Sequence, residues 1–94
     1  MSIKPGPLVA PFEKGKLRGV TFTFPEVGSA LPLHQHGENE AHFTFVRRGR
    51  LKILRPTGQP ERIVERGAWL MFEVGEWHGY EALEAGSKIT NVIY

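Results

Sequence analysis

The chain has 94 residues, of which 40% are hydrophobic and 23% are charged, proportions typical of one folded domain and not of a disordered chain. It contains no cysteine, which excludes disulfide bonds and metal sites built from thiolates. The formal net charge of +2 is too small to indicate a nucleic-acid surface. No secretory leader and no apolar run long enough to cross a bilayer is visible, so we expect a cytoplasmic protein that binds neither nucleic acid nor membranes.

Glycine (11 residues) and proline (7 residues) are scattered along the chain and separate many short segments. Residues 1–15 are rich in both and predict an extended N-terminal arm, either a frayed terminus or a segment that pairs with a second subunit. Residues 16–94 are expected to form the folded domain. Its first predicted strand spans residues 19–24, where apolar residues alternate with threonines.

Further predicted strands follow in chain order. Residues 33–36 and 42–46 lie on either side of a turn, and in the second of them Phe43 and Phe45 share the face opposite to that of His42. No segment carries an apolar stripe at helical spacing without meeting glycine or proline. Short strands at regular spacing predict an all-β barrel or sandwich. The remaining predicted strands are 51–54, 62–64, 68–72, 78–83 and 88–94.

The four histidines are the candidate metal ligands. His34 and His36 are two residues apart on a predicted strand, so their side chains leave the same face. His42 and His78 each begin a later predicted strand. A single strand histidine is more often a surface or hydrogen-bonded residue, but four imidazoles inside one small barrel would be poorly satisfied without a cation. We therefore expect one divalent metal ion, and imidazole ligands leave Zn, Ni, Fe, Mn and Cu open.

The region around the first three histidines resembles a motif of the cupin superfamily. That motif runs Gly, five residues, His-x-His, three or four residues, Glu, six residues, Gly. His42 occupies the position of the family's glutamate when the count is made back from Gly49, whereas Glu40 lies at the usual distance from His36. We expect His42 as the third ligand because the strand entering Gly49 sets the register, with Glu40 as the alternative. The matching residues here are Gly28, His34, His36, His42 and Gly49.

A second segment resembles the other cupin motif, which runs Gly, five residues, Pro, one residue, Gly, two residues, His, three residues, Asn. Gly67, Gly75 and His78 match, whereas Glu73 replaces the proline and Ala82 replaces the asparagine. Neither replaced position is a metal ligand in the family. The resemblance spans residues 28–82 and implies a small cupin β-barrel, a jelly roll or double-stranded β-helix. It points to a single-domain, RmlC-like cupin with a four-histidine variant of the metal motif.

The resemblance implies a metal-dependent dioxygenase, isomerase or decarboxylase acting on a small oxygenated molecule. The alternative is a non-catalytic metal- or ligand-binding module, such as a sensor or regulatory subunit, and a third reading is a metal that only stabilises the barrel. Four neutral ligands would leave the full charge on the ion and favour Lewis acidity. No general base is evident, because Glu38, Glu40 and Glu73 are equally well explained as turn residues.

Four aromatic residues are candidates for the wall of a small-molecule pocket, although each taken alone is more often a core or interface residue. Tyr80 has the same strand parity as His78, so its hydroxyl is a candidate to face the metal. We also expect a homodimer, formed through the N-terminal arm or the apolar strand at residues 20–24. The basic residues around Gly49 are expected to form a solvated strand face, with a patch for an anion or an acidic partner as the alternative. They are Arg47, Arg48, Arg50, Lys52 and Arg55. The four candidate pocket residues are Trp69, Phe72, Trp77 and Tyr80.

Overall fold

The computed structural model describes residues 4–35, 42–73 and 75–93. Within these ranges the chain forms strands and turns without a helix, so the all-β prediction is confirmed. None of the described segments is therefore a helix of the length and hydropathy that spans a membrane. The strands are β1 Leu8–Lys14, β2 Leu17–Phe24, β3 Ala30–His34, β4 His42–Arg48, β5 Arg50–Leu54, β6 Arg62–Glu65, β7 Trp69–Phe72, β8 His78–Ala82 and β9 Ser87–Ile93.

The strands form two antiparallel sheets. One has the order β1-β2-β9-β4-β7 and the other the order β3-β8-β5-β6. Their inner faces enclose an apolar core. The alternation predicted for residues 42–46 is present in β4, where Val46 is fully buried and Phe45 is 40% exposed. The core residues are Phe24, Val46, Leu51, Ile53, Val64, Leu70, Phe72, Tyr80, Ala82 and Ile89.

The segment expected to be an N-terminal arm is extended, and most of it belongs to the first sheet. β1 pairs with β2 along its full length, from Leu8 opposite Thr23 to Lys14 opposite Leu17. Gly19 on β2 has no room for a side chain, because a Cβ there would collide with the backbone carbonyl oxygen of Asn91 on β9 and lie 2.5 Å from a ring carbon of Phe12 on β1. β1 is thus an edge strand of the domain's own sheet.

The apolar face of β2 is covered by the same molecule. Phe24 is fully buried, and Phe22 packs against the core. Alternation on β2 directs these two rings toward the domain's own interior, and a dimer contact at residues 20–24 stays a prediction.

Gly49 lies where the chain leaves one sheet and enters the other, between β4 and β5. Its φ of +80° is in the left-handed region, and a Cβ there would collide with the side chain of Ser87. The Ser87 hydroxyl in turn accepts a hydrogen bond from the Arg50 amide at 3.2 Å. Glycine is required here for both conformation and space, which is the physical reason for the motif glycine.

Candidate metal site

His34 and His78 meet at the centre of the candidate site. β3 and β8 pair with a register shift between Leu31 and His34, and the shift places His34 directly opposite His78. The two imidazole rings lie edge to face, with centroids 4.6 Å apart and planes at 60°. Two residues separated by more than forty positions in the chain are thereby brought side by side.

Both rings have a defined tautomer. Nδ1 of His34 lies 2.8 Å from the carbonyl oxygen of Pro32, and Nδ1 of His78 lies 3.0 Å from the carbonyl oxygen of Glu76. A carbonyl oxygen only accepts, so each Nδ1 carries the proton and donates. The lone pair of each imidazole is therefore on Nε2, the arrangement in which histidine ligates a metal while a backbone group orients its other nitrogen.

His42 lies on the adjoining sheet and points into the same interior. It is 3% exposed and stands opposite Phe72 in the pairing of β4 with β7. The Phe72 ring stacks on His78 with a centroid separation of 3.9 Å and an interplanar angle of 8°. Phe72 thus links the third histidine to the pair.

The electrostatics of His78 favour a neutral ring. Burial lowers its pKa to about 4; the hydrogen bond to the Glu76 carbonyl opposes this shift, whereas the nearby His34 and His42 add to it. A neutral imidazole is the form that binds a metal ion. His34 and His42 are thus both near enough to His78 to influence its pKa.

The other two predicted ligand positions, His36 and Glu40, lie outside the described residues. Within residues 4–35, 42–73 and 75–93, no three histidine, aspartate or glutamate side chains stand together in a metal-holding arrangement. The described site is thus the His34–His78 pair with His42 nearby, and the four-histidine set stays a prediction. Neutral imidazoles presenting Nε2 fit the divalent first-row metals.

An ion pair between Arg55 and Glu76 lies next to His78 and holds the residue that binds its ring. Nη1 of Arg55 donates to Oε2 of Glu76 at 2.5 Å, and the amide of Glu73 donates to the other carboxylate oxygen at 3.1 Å. The backbone carbonyl of the same Glu76 accepts the His78 proton. The ion pair therefore fixes the residue that orients His78. Arg55 does not belong to the solvated basic face expected from the sequence, because its side chain turns to Glu76.

The Tyr80 hydroxyl contacts Thr44 at 2.8 Å, and Thr44 donates to Oδ1 of Asn91 at 2.5 Å. Since the Thr44 proton goes to Asn91, the Tyr80 hydroxyl is the donor in the first bond. Burial raises the pKa of Tyr80, in keeping with a protonated phenol. The sequence parity correctly puts Tyr80 beside His78, with ring centroids 5.9 Å apart, but the hydroxyl crosses to the other sheet.

A cavity of about 420 Å³ lies beside the site, between the β5–β6 hairpin and β7. It reaches His78 through two lining residues: Phe72, which stacks on the ring, and Glu76, whose carbonyl binds it. The cavity is lined by Ile53, Arg55, Pro60, Glu61, Arg62, Leu70, Met71, Phe72 and Glu76.

Of the four aromatic residues predicted to line a pocket, Phe72 lines this cavity. Trp69 lies on the outer face of the sheet, 59% exposed, and stacks on Phe43 with centroids 5.5 Å apart. Trp69 and Phe72 are three residues apart on one strand, so alternation must separate them. Trp77 is 47% exposed and is outside the lining, as is Tyr80.

Sequence reasoning missed three supporting residues: Thr44, Arg55 and Glu76. Thr44 shares the strand face of His42, and this parity was a usable signal. Arg55 and Glu76 are 21 positions apart, and nothing local in the sequence pairs them.

Neither a protein-family model nor a curated protein matches the chain in sequence. An RmlC-like cupin protein from Desulfovibrio desulfuricans superposes with a TM-score of 0.80 at 24% identity, covering 94% of this chain and 81% of the other. KdgF from Halomonas sp. gives a TM-score of 0.80 at 21% identity, with coverage of 99% and 83%. The Cupin_2 domain of an XRE family transcriptional regulator from Enterobacter cloacae gives 0.77 at 14%, with coverage of 96% and 97%. At these identities the likeness concerns the backbone architecture, and the chain has the fold of the small RmlC-like cupins, a double-stranded β-helix.

Proposed function

We propose that the protein is a metal-dependent cupin that holds one divalent ion with His34, His36, His42 and His78 and acts on a small oxygenated molecule. The observation that carries the proposal is the contact between His34 and His78. Their rings are 4.6 Å apart, and both direct the Nδ1 proton to a backbone carbonyl. This arrangement leaves the Nε2 lone pair of each ring for a ligand, as in histidines whose other nitrogen is oriented by a backbone carbonyl.

A divalent ion bound by neutral imidazoles supplies Lewis acidity, which suits isomerase or dioxygenase chemistry on an oxygenated substrate. The chain's own residues have separate tasks. Phe72 covers one face of the His78 ring and also lines the cavity. Tyr80 and Thr44 fix the interior between the two sheets through their hydrogen bond. The cavity beside Phe72 is large enough for a small molecule.

A second candidate is a non-catalytic metal- and ligand-binding module. One observation favours it: two groups near His78 that could exchange a proton with a substrate already have hydrogen-bond partners. The Tyr80 hydroxyl donates to Thr44, and the Glu76 carboxylate accepts from Arg55. A similar Cupin_2 domain comes from a transcriptional regulator, which makes ligand sensing a reasonable second candidate for this fold.

The metal assignment is tested by elemental analysis. The protein is purified without added metal, then exposed separately to Zn, Ni, Mn, Fe and Cu and desalted. We expect close to one ion per chain in the wild type and a large loss in His34→Ala and His78→Ala. If both variants retain their metal, the assignment is wrong. His42→Ala and Glu40→Ala, measured in parallel, decide the third ligand.

The two candidate functions separate in one further measurement. The metal-loaded protein is mixed with small sugars, hydroxy acids and keto acids, and each mixture is followed by proton NMR. New product resonances that disappear in His78→Ala support the enzyme. Line broadening of one compound without any new resonance supports the binding module.

A further inference from the structure

Arg62 lies on β6, an edge strand of the second sheet, on the face that points to the core. It stands opposite Ile53 in the pairing of β5 with β6, and Ile53 is 2% exposed. Val64, two residues further along β6, is also buried, whereas Ile63 between them is 54% exposed. Alternation therefore places Arg62 on the core side of β6. The residue is itself exposed, and it is one of the lining residues of the cavity.

The other charges of the lining have partners. Arg55 is paired with Glu76 at 2.5 Å. Glu61 approaches Lys52, a residue outside the lining, at 3.9 Å. In the part of the chain that the structure describes, no carboxylate lies within ion-pair distance of Arg62. Arg62 is consequently the lining cation whose positive charge can pair with an anionic ligand.

The remaining wall is largely apolar, with Leu70 and Phe72 on β7 facing Ile53 on β5. A cavity with one cationic group and apolar walls is complementary to a molecule that has one anionic end and an apolar body. Arginine is suited to this task because its planar guanidinium binds a carboxylate through two parallel hydrogen bonds.

We propose that this cavity binds a small organic acid, with its carboxylate at Arg62 and its apolar part against Leu70 and Phe72. The inference names the substrate class of the site described above and so rests on the proposed function. A ligand seated this way contacts Phe72, whose ring also stacks on His78 at a centroid separation of 3.9 Å. Phe72 is thereby a neighbour of both the bound acid and a proposed metal ligand.

The test uses benzoate and benzamide, which have nearly the same shape and differ in charge. Each is titrated into ¹⁵N-labelled protein, and the amide shifts of Arg62, Leu70 and Phe72 are followed. Benzoate should bind several-fold more tightly than benzamide. Arg62→Gln should weaken benzoate about tenfold, the effect of one charge-assisted hydrogen-bonded pair, and leave benzamide unchanged. Arg66→Gln is the matched control, since Arg66 is exposed in the turn after β6 and outside the lining.

Every titration is run on metal-loaded and on chelator-treated protein, because benzoate also binds metal ions directly. Equal affinity for benzoate in the wild type and Arg62→Gln overturns the inference, as does equal loss in Arg66→Gln. Binding that requires the metal and ignores Arg62 overturns it too, while leaving the metal site in place. Arg62-dependent binding in a protein that takes up no metal supports the acid-binding cavity and refutes the proposed metal-dependent function.

Discussion

His34 and His78 face each other, edge to face at 4.6 Å, because the backbone of β3 shifts by one residue against β8 just before His34. Gly79, next to His78, lies directly against this irregular segment. A Cβ at Gly79 would be 2.8 Å from the carbonyl oxygen of Leu31 and 3.0 Å from the amide nitrogen of Leu33. The close approach of the two strands therefore depends on the absence of a side chain at position 79.

Gly79→Ala is expected to push β3 away from β8. Backbone atoms cannot yield as a flexible side chain does, so we expect a loss of about 1–3 kcal/mol in the free energy of unfolding together with weaker metal binding. Chemical denaturation and metal competition measure the two effects. Gly6→Ala is the control, since a Cβ there meets nothing within 4 Å. A Gly79→Ala variant with wild-type stability and metal affinity would contradict the strand-spacing argument.

Removal of the Arg55 guanidinium should loosen His78. Without it, Glu76 loses its ion-pair partner, and the carbonyl that orients the imidazole is less well fixed. Arg55→Ala is expected to lower metal affinity at least tenfold, the usual effect of losing an outer partner of a ligand, and to shift the visible spectrum of the Co²⁺-loaded protein. Arg55→Lys should recover part of the affinity.

Lys52→Ala is the matched control for Arg55→Ala. Lys52 lies on β5, three residues before Arg55, and forms longer ion pairs with Glu81, at 3.6 Å, and with Glu61, at 3.9 Å. The Lys52→Ala substitution should leave the Co²⁺ spectrum unchanged. An equal effect of both substitutions would mean that general surface charge, and not the orientation of His78, sets the affinity.

Acidification should destabilise the metal-free protein through His78. Its pKa is about 4 when folded, against 6.5 for the ordinary side chain, so between these values the unfolded chain binds the proton and the folded chain does not. Stability is therefore full above about pH 6.5 and is lost as the pH falls toward 4, by at most about 3 kcal/mol. Urea unfolding at a series of pH values measures this loss. His78→Asn removes the titrating group and should flatten the curve over the same interval; an identical curve for the variant would refute the assignment.

Thr44 joins the two sheets through its contact with Tyr80 on β8, and it donates to Asn91 on β9, the neighbouring strand of its own sheet. Thr44→Val keeps the shape but leaves two buried polar groups without their Thr44 partner. We expect a loss of about 1–3 kcal/mol in the free energy of unfolding. Thr44→Ser retains the hydroxyl and should be less destabilised than Thr44→Val. The reverse order of the two variants would show that the methyl group, not the hydrogen bonds, is important.

The homodimer expected from the sequence stays a prediction, and the structure offers a face for it. Trp69, Met71 and Phe45 are 59%, 60% and 40% exposed on the outer side of β7 and β4. Apolar clusters of this kind mark interaction surfaces, and a second copy of the chain supplies a matching one by symmetry. Light scattering after gel filtration should give a dimer at micromolar concentration. Trp69→Glu should give a monomer and Trp77→Glu, at an exposed residue elsewhere, should not; a wild-type monomer would contradict the prediction.

The sequence alone was sufficient to predict most strands and the direction of their side chains. Side chains alternate between the two faces of a strand, so the inward placement of His42 and Thr44 follows from the outward Phe43 and Phe45. The break between β4 and β5 at Gly49 was also predictable, because a glycine interrupts the alternating pattern there. Even the outward direction of Trp69 was readable, because Phe72 on the same strand has the opposite parity.

The tertiary structure decided which of these faces meet. The facing of His34 and His78 depends on a one-residue register shift between distant strands, and the contact of Arg55 with Glu76 depends on the β5–β8 pairing. Likewise, the segment expected to be an N-terminal arm contains β1, which pairs with β2 as an edge strand of the first sheet. Local sequence periodicity determines the face of a residue, because alternation acts within one strand. Neighbours across strands depend instead on hydrogen-bond register between segments far apart in the chain, which no local pattern encodes.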